Sequence, residues 1–243
     1  QTCALPIYYC PADEQELSDI VAASANVQQT LEIVAGASKR ALGRPVAADH
    51  VLDVGAIAGV VDYDPAELLL TARPGTKLAE IEAMLAERGQ MLAFEPPDWR
   101  PLLGNTGEPT LGGVLATNQA GPRRVKAGAA RDHFLAFSAV GGWGDAWKAG
   151  GKVVKNVTGY DLCKLLAGSF GTLAALEEVT IKVMPAPQKT RTVLLFGLGP
   201  AEARAVLADG LNSPYEVSAA AYRSEEHTPE LQSHSFISYA VFC

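Results

Sequence analysis

The chain has 243 residues, of which 48% are hydrophobic and 19% are charged, and its formal net charge is −7. These proportions indicate a globular protein with a large buried core, and the length allows one sizeable domain and part of a second. The mildly acidic charge disfavours a nucleic-acid partner, and no apolar run is long enough to span a bilayer.

Hydrophobic spacing and turn residues divide the chain into short helices and strands. In chain order the predicted elements are a helix over 13–25, a strand over 30–35, a hairpin of strands 59–63 and 67–72, a helix from 76 to 89, a strand over 91–94, a helix over 111–118, a hairpin of strands 134–140 and 146–148, and a helix, turn and strand over 153–183. Past Pro187 a strand, a helix and a strand over 192–196, 200–209 and 216–221 indicate the beginning of a second unit. This order favours an α+β fold.

Both ends of the chain differ in character from its interior. Residues 1–7 and 223–243 resemble translated sequencing adapter, so we expect them to be artefacts and exclude them from fold reasoning. An ordinary polar tail is the alternative, but two independent ends match the same source. Between these segments lie only two of the four cysteines, Cys10 and Cys163. They lack metal-ligand spacing, which predicts a reducing compartment, no disulfide framework and no metal site.

Small residues dominate four loops that each follow an apolar strand or open a helix, namely 36–39, 110–113, 118–122 and 168–171. Gly168 and Gly171 tolerate backbone angles that other residues resist, so the last loop could turn its N–H groups toward an anion. Taken singly, each loop is more simply an ordinary turn. Together the loops predict backbone segments that converge on an extended, doubly anionic ligand, such as the pyrophosphate of a dinucleotide.

Three segments carry a specific resemblance: TLGGVLATNQAGPRR from Thr110, GAARDHFLAF from Gly128 and KNVTGYDLCKLLAGSFGTL from Lys155. Over nearly all of 8–183 the chain resembles the FAD-binding domain shared by vanillyl-alcohol oxidase and p-cresol methylhydroxylase (PCMH) relatives. Within that superfamily it most resembles the FAD-binding subunits of bacterial glycolate oxidases. The resemblance implies an α+β, PCMH-type FAD-binding domain of two subdomains over 8–187, followed by a truncated α+β cap domain that begins over 188–222.

The resemblance also implies which residues hold FAD. Carried over position by position, they are Gly36, Ala37, Ser38 and Lys39 at the phosphates; Pro97, Thr110, Gly112 and Gly113 beside the phosphates and the flavin; Asn118, Gly121, Arg131 and Asp132 along the ribityl chain and the flavin; Gly168, Ser169, Gly171 and Thr172 closing the site; and Val179 at the adenine end. Because residues 36–40 contain neither His nor Cys, we expect FAD to be bound noncovalently.

The implied activity is that of an FAD-dependent oxidoreductase subunit, which oxidises glycolate to glyoxylate by hydride transfer to the flavin. The sequence does not identify a catalytic base. His133 more simply packs locally, and the substrate-binding groups are expected in the cap, so this fragment alone is expected to be inactive.

Two alternatives to glycolate oxidation remain open. The chain could be a flavin-binding electron-relay or structural subunit without its own substrate site, or an FAD-linked dehydrogenase of another 2-hydroxy acid. The implied partners are a second flavoprotein subunit, an iron–sulfur subunit and a small 2-hydroxy-acid substrate. The expected location is the cytoplasm, with peripheral attachment to the inner face of the cell membrane as a variant.

Overall fold

The structure is a computed structural model that describes residues 5–151 and 159–222 and the backbone of 237–240. The helices are α1 (Glu14–Asn26), α2 (Leu78–Ala86), α3 (Arg100–Leu103), α4 (Leu111–Ala116), α5 (Arg124–Ala127), α6 (Ala130–His133), α7 (Leu162–Leu166) and α8 (Pro200–Leu211). The strands are β1 (Tyr8–Tyr9), β2 (Leu31–Val34), β3 (His50–Asp53), β4 (Val60–Asp64), β5 (Leu69–Ala72), β6 (Gln90–Met91), β7 (Phe134–Gly141), β8 (Ala146–Gly150), β9 (Ala174–Lys182), β10 (Met184–Pro185), β11 (Val193–Phe196) and β12 (Ile237–Ala240).

Two sheets organise the molecule. The first is a parallel three-stranded sheet in the order β1-β3-β2, and the second is an antiparallel five-stranded sheet in the order β4-β5-β9-β7-β8. Two short antiparallel pairs, β6 with β10 and β11 with β12, lie outside them. Mixed helix and strand content on two distinct sheets confirms the α+β fold class and agrees with the expectation of two subdomains.

Local sequence explains the first helix. The Asp13 side chain accepts a hydrogen bond from the N–H of Glu16 at 2.9 Å, which caps the helix and satisfies one of its free N–H groups. Leu17, Val21 and Ser24 recur at helical spacing and are buried. The predicted helix over 13–25 is therefore confirmed with a shift of one residue at each end.

The predicted hairpin at Asp64-Pro65 is also confirmed. The Asp64 carboxylate accepts the N–H groups of Ala66 at 2.9 Å and Glu67 at 3.1 Å, which is the local turn chemistry expected of aspartate. β4 and β5 then pair in an antiparallel manner across this turn.

The hydrophobic core is divided into two clusters by the central strands of the larger sheet. One cluster surrounds Phe94 and includes Ala139 of β7 and Ala174 of β9. The other packs around Leu17 of α1 and includes the next residues along the same strands, Val140 and Ala175. Because successive side chains of a strand point to opposite faces, β7 and β9 link the two clusters.

Several expectations differ from the structure. The strand predicted over 216–221 is wrong, because these residues have no regular secondary structure although Val217 and Ala219 are buried. The residue types there are compatible with a strand, but a strand also needs a neighbour that pairs with its backbone N–H and C=O groups. β11 instead pairs with β12, which lies in the segment predicted to be an artefact. The short strands β1 and β3 were not predicted.

Parts of the predicted organisation stay predictions. Residues 1–4, 223–236 and 241–243 lie outside the described residues, as do residues 152–158 of the predicted 153–183 element. The described part of that element contains the expected helix, turn and long strand, as α7, residues 167–173 and β9. The domain boundary after residue 187 and the origin of the two terminal segments likewise stay predictions.

Candidate functional site

A cleft of about 330 Å³ lies between the parallel sheet and the larger sheet. Its walls come from β2, from the loop that follows β2, from the beginning of α4 and from the turn before β9. A volume near 300 Å³ is at the lower end of the range for small-molecule sites, so the cleft suits one part of an extended ligand. The apolar part of its lining includes Leu31, Ile33, Val46, Leu166 and Leu176.

The loop after β2 offers free hydrogen-bond donors. Within the described part of the chain, the backbone N–H groups of Ala37, Ser38 and Lys39 donate to no protein acceptor. Ala37 has a left-handed backbone with φ 51°, which curls the loop. Successive N–H groups in such a turn form a concave anion-binding nest. We call residues 36–40 the anion loop.

Lys39 places a primary amine in the same loop. Its Nζ donates to the Ser38 hydroxyl at 3.2 Å, and it lies beside Gly113, where a Cβ atom would be 3.7 Å from Nζ. Burial lowers the pKa of Lys39 from 10.5 to about 8, and the negative charge of Asp98 partly opposes this shift. A half-buried ammonium beside three free N–H groups is complementary to a phosphate anion.

The beginning of α4 contributes shape rather than donors. The N–H of Leu111 donates to the Thr76 carbonyl at 2.9 Å, and that of Gly112 donates to the Pro74 carbonyl at 2.8 Å. The Thr110 hydroxyl accepts the N–H of Gly113 at 3.3 Å. These three helix-start donors are therefore satisfied by the protein itself.

Close packing explains why glycine stands at the second position of α4. A Cβ atom on Gly112 would lie 2.6 Å from the Pro74 side chain, a distance at which the atoms overlap. The absence of a side chain lets α4 approach the loop before α2, and this approach sets one wall of the cleft.

The turn before β9 does not present a nest of donors, in contrast to the expectation from its glycines. The N–H groups of Gly168 and Phe170 donate to the carbonyls of Leu115 and Ala116 in α4, at 3.0 and 2.9 Å. Those of Ser169 and Thr172 donate within the turn and to α7. Gly168 and Gly171 have positive φ, at 84° and 76°, so glycine here allows the turn to fold against α4.

The structure brings most of the predicted residues to the cleft. Those that line it are Gly36, Ala37, Ser38, Lys39, Thr110, Gly112, Gly113, Ser169, Gly171 and Thr172. Those outside its lining are Pro97, Asn118, Gly121, Arg131, Asp132, Gly168 and Val179.

Most residues in the second group have local structural roles. The Asn118 carboxamide oxygen accepts the N–H of Arg131 at 3.0 Å, and the Asp132 carboxylate accepts the N–H of Ala129 at 2.8 Å. A Cβ atom on Gly121 would overlap the carbonyl oxygen of Glu95. The two hydrogen bonds order the segment 118–132 internally, and Gly121 allows it to pack against Glu95.

Val179 is placed where it has no access to a ligand. It is fully buried in the middle of β9, and its backbone is paired on both sides, with Ala72 of β5 and Phe137 of β7. A backbone contact from Val179 to the adenine end is therefore incompatible with its position in the sheet.

Sequence reasoning missed three residues at the site. Arg40 and Glu32 line the cleft and form an ion pair at 2.6 Å. Asn105 contacts the anion loop from a distant part of the chain, with its Nδ2 atom 2.7 Å from the Ser38 carbonyl oxygen. Arg40 directly follows the predicted loop and could have been included, whereas a contact across 67 residues leaves no local signal.

The chain is similar to known FAD-binding proteins. Residues 6–150 match the family described as FAD binding domain. The chain belongs to this FAD-binding family. Glycolate oxidase subunit GlcE of Escherichia coli is 40% identical over 208 residues, which cover 86% of this chain and 57% of the relative. Glycolate oxidase subunit GlcD of Bacillus subtilis is 33% identical over 56% of this chain and 27% of the relative.

The fold of the FAD-binding domain recurs in solved structures. An alkyldihydroxyacetonephosphate synthase structure superposes with a TM-score of 0.69 at 22% sequence identity, covering 87% of this chain and 38% of that one. This similarity shows a shared fold. The chain spans little more than half the length of its Escherichia coli relative.

The residues of the cleft fit the cofactor of this family, FAD. The free N–H groups of the anion loop and the Lys39 amine suit its pyrophosphate, and the apolar lining suits one of its ring systems. The family match confirms the FAD-binding domain expected from the sequence.

Metal-ligand clusters and membrane-spanning helices are both absent from the described residues. No group of three or more His, Cys, Asp or Glu side chains there has the arrangement of a metal site. No helix in the same residues has the length and apolar character to cross a membrane.

Proposed function

We propose that the cleft binds FAD noncovalently, with the pyrophosphate against the anion loop. The observation that carries this proposal is a row of three N–H groups, at Ala37, Ser38 and Lys39, that have no acceptor among the described residues and lie beside a half-buried amine. The thiol and imidazole groups needed for a covalent flavin link are absent from residues 31–46 of the cleft lining. The protein groups would bind and orient the cofactor by hydrogen bonds and charge.

We further propose that the chain is part of a dehydrogenase of small 2-hydroxy acids, with glycolate as substrate and glyoxylate as product. The support is its 40% identity to a glycolate oxidase subunit over most of this chain. FAD supplies the hydride acceptor when bound. The residues of this chain hold the cofactor and shield part of it from water, whereas the groups that bind the substrate carboxylate are expected in the cap.

The proposed assembly contains a second flavoprotein subunit and an iron–sulfur subunit. Its support is that two relatives are named as different subunits of glycolate oxidase, and this chain resembles both. A hydride transfer delivers two electrons to the flavin, and an iron–sulfur protein is a carrier that can remove them one at a time.

A second candidate function is that of a flavin-binding electron-relay or structural subunit without its own substrate site. The composition of the cleft favours it in one respect, because the described lining contains no histidine that could take up the hydroxyl proton. The cleft lining also contains the cation Arg40 besides Lys39. Arg40 is already paired with Glu32, so it is not a free cation for a substrate carboxylate.

Flavin absorption spectroscopy distinguishes these functions. The purified chain, incubated with FAD and passed through a desalting column, is expected to retain a flavin spectrum. Anaerobic glycolate is then added to the chain alone and to the chain assembled with its partner subunits. Bleaching of the FAD on the full-length subunit alone supports a glycolate dehydrogenase subunit with its own substrate site, whereas bleaching only in the assembly supports the relay or structural subunit. Bleaching by D-lactate or 2-hydroxyglutarate in place of glycolate indicates another 2-hydroxy acid. A chain that retains no FAD would overturn the proposal.

A further inference from the structure

A compact strap lies beside the anion loop. It comprises residues 98–108, contains α3, and is closed by Arg100, which binds the carboxylates of Asp98 at 2.9 Å and Glu108 at 3.0 Å. Gly104 ends the helix in the left-handed conformation with φ 64°. The Arg100–Glu108 ion pair joins the two ends of the strap.

The strap packs directly on the anion loop, backbone against backbone. A Cβ atom on Gly36 would overlap the Glu108 carbonyl oxygen, and one on Gly107 would overlap the Gly36 carbonyl oxygen. Two glycines that face each other in this way allow main chains to approach more closely than any side chain permits. The position of the anion loop therefore depends on the position of the strap.

Asn105 makes the one side-chain hydrogen bond from the strap to the anion loop among the described residues. Its Nδ2 atom donates to the Ser38 carbonyl at 2.7 Å. The carboxamide Oδ1 is buried and has no protein partner in the described residues. Burying an unpaired acceptor costs free energy, so the buried Oδ1 of Asn105 destabilises the free chain.

The bond from Asn105 fixes the orientation of the Ser38–Lys39 peptide. A peptide unit is planar, so the Ser38 carbonyl and the Lys39 N–H point in opposite directions from the same plane. When Asn105 holds the carbonyl on the strap side, the Lys39 N–H is directed away from the strap. The Asn105 bond and the free donor of the nest are thus two ends of one rigid group.

We infer that Asn105 is a positioning residue that preorganises the anion loop for the FAD pyrophosphate. This inference rests on the proposed FAD site. Asn105 acts through the Ser38–Lys39 peptide and makes the loop bind at a lower conformational cost, because the free chain already holds the N–H in the binding orientation.

The test compares Asn105→Ala and the nearly isosteric Asn105→Asp with a matched control, Asn212→Ala. Asn212 also donates from its carboxamide to a backbone carbonyl, that of Ala208 at 2.8 Å, but it lies at the end of α8. FAD dissociation constants are measured by flavin fluorescence. Loosening of the loop is measured without FAD, as the rate of tryptic cleavage after Lys39 and Arg40 relative to cleavage after Lys189.

Asn105→Ala is expected to weaken FAD binding by about fivefold to tenfold, the effect of one neutral hydrogen bond. Asn105→Asp is expected to weaken it further, because a carboxylate would face the Ser38 carbonyl and lie near the phosphates. Both variants should be cleaved faster at the anion loop, and Asn212→Ala should match the wild type in both measurements.

Unchanged FAD affinity and unchanged cleavage in a folded Asn105→Ala chain would overturn the inference. Failure of both Asn105 variants to fold would also overturn it, since Asn105 would then serve the fold as a whole. If the wild-type chain does not bind FAD, the proposed function fails, and the cleavage ratio by itself still decides whether Asn105 orders the loop.

Discussion

Lys39 contributes both a backbone N–H and a side-chain amine to the proposed phosphate site. The free chain holds its amine in a half-buried position where the pKa falls to about 8, so the charged form is disfavoured. A bound phosphate would reverse this balance, because an anion beside the amine stabilises the ammonium. Two consequences can be measured, one for ligand binding and one for the stability of the free chain.

The first prediction concerns the pH dependence of FAD affinity. Below about pH 8 the Lys39 amine is already protonated in the free chain, so affinity should vary little with this group. Above that pH, binding must take up a proton, and affinity should fall by as much as about tenfold per pH unit. Dissociation constants measured from about pH 6.5 to 9.5 test this, with Lys39→Arg, which stays charged, as the control. An equal decline in the Lys39→Arg variant would refute a role of Lys39.

The second prediction concerns the stability of the FAD-free chain. The pKa of Lys39 is lower in the folded chain than its ordinary 10.5, so the unfolded chain binds more protons between about pH 8 and 10.5. Its contribution to stability therefore rises with pH across this window. Lys39→Met should be more stable than the wild type at about pH 7 and should lack this rise.

Urea unfolding of the FAD-free chains at neutral pH and at about pH 10 tests the stability prediction. Lys189→Met, a change at an exposed lysine, is the matched control and should not alter the pH dependence. A Lys39→Met chain less stable than the wild type at neutral pH would contradict the predicted cost of burying the amine.

At the scale of elements, three glycine-containing segments that look alike in sequence have different roles. Among the described residues, the N–H groups of residues 37–39 in the anion loop have no protein acceptor, whereas α4 satisfies its first donors with neighbouring oxygen atoms. The turn before β9 donates two of its N–H groups to α4. The sequence identified all three as cofactor segments by resemblance. It could not show which N–H groups remain available, because their acceptors, such as Pro74 and Thr76 for α4, come from distant segments.

The third prediction tests the contact between the anion loop and the strap. In Gly36→Ala the new methyl group would overlap the Glu108 carbonyl, so the loop or the strap must move. We expect a loss of roughly 1–3 kcal/mol in the free energy of unfolding, as for other overpacked sites, together with weakened FAD binding. Gly142→Ala is the control, because a Cβ atom there meets nothing within 4 Å. Equal stability of the two variants in urea unfolding would contradict the close approach.

At the scale of the whole molecule, β7 and β9 join the two hydrophobic clusters. Each strand contributes neighbouring residues to both clusters, so one side of the core cannot come apart without disturbing the strands that support the other. The cleft lies between the two sheets and depends on this shared framework. We therefore expect the residues of both sheets to unfold together.

The fourth prediction follows from this shared framework. Leu17 of α1 is fully buried in the smaller cluster, so Leu17→Ala should cost about 2–5 kcal/mol of unfolding free energy. The whole chain should unfold in one transition, seen equally by circular dichroism and by tryptophan fluorescence, to which Trp147 in β8 contributes together with the other two tryptophans. Leu102→Ala, at a residue 80% exposed, should change stability by less than about 0.5 kcal/mol. Separate transitions for the two probes would contradict a single cooperative unit.

The sequence by itself determined the α+β class, most of the helices and hairpins, and the family of the cofactor-binding segments. These features depend on local signals: the Asp13 cap, the turn at Asp64-Pro65, the helical spacing of Leu17 and Val21, and the motifs that carry the resemblance. Each of them is set within a few residues along the chain, so it can be recognised without knowing what lies nearby in space.

Only the tertiary structure decided which of these segments offers free donors to an anion. In the tertiary structure Val179 has no access to a ligand, because β9 is paired with a strand on each side. Residues 216–221 form irregular chain where a strand was predicted. The tertiary structure also brought Asn105 to Ser38 and lowered the pKa of Lys39 by burial. Hydrogen-bond satisfaction and burial depend on segments far apart in sequence, and for that reason no local pattern contains them.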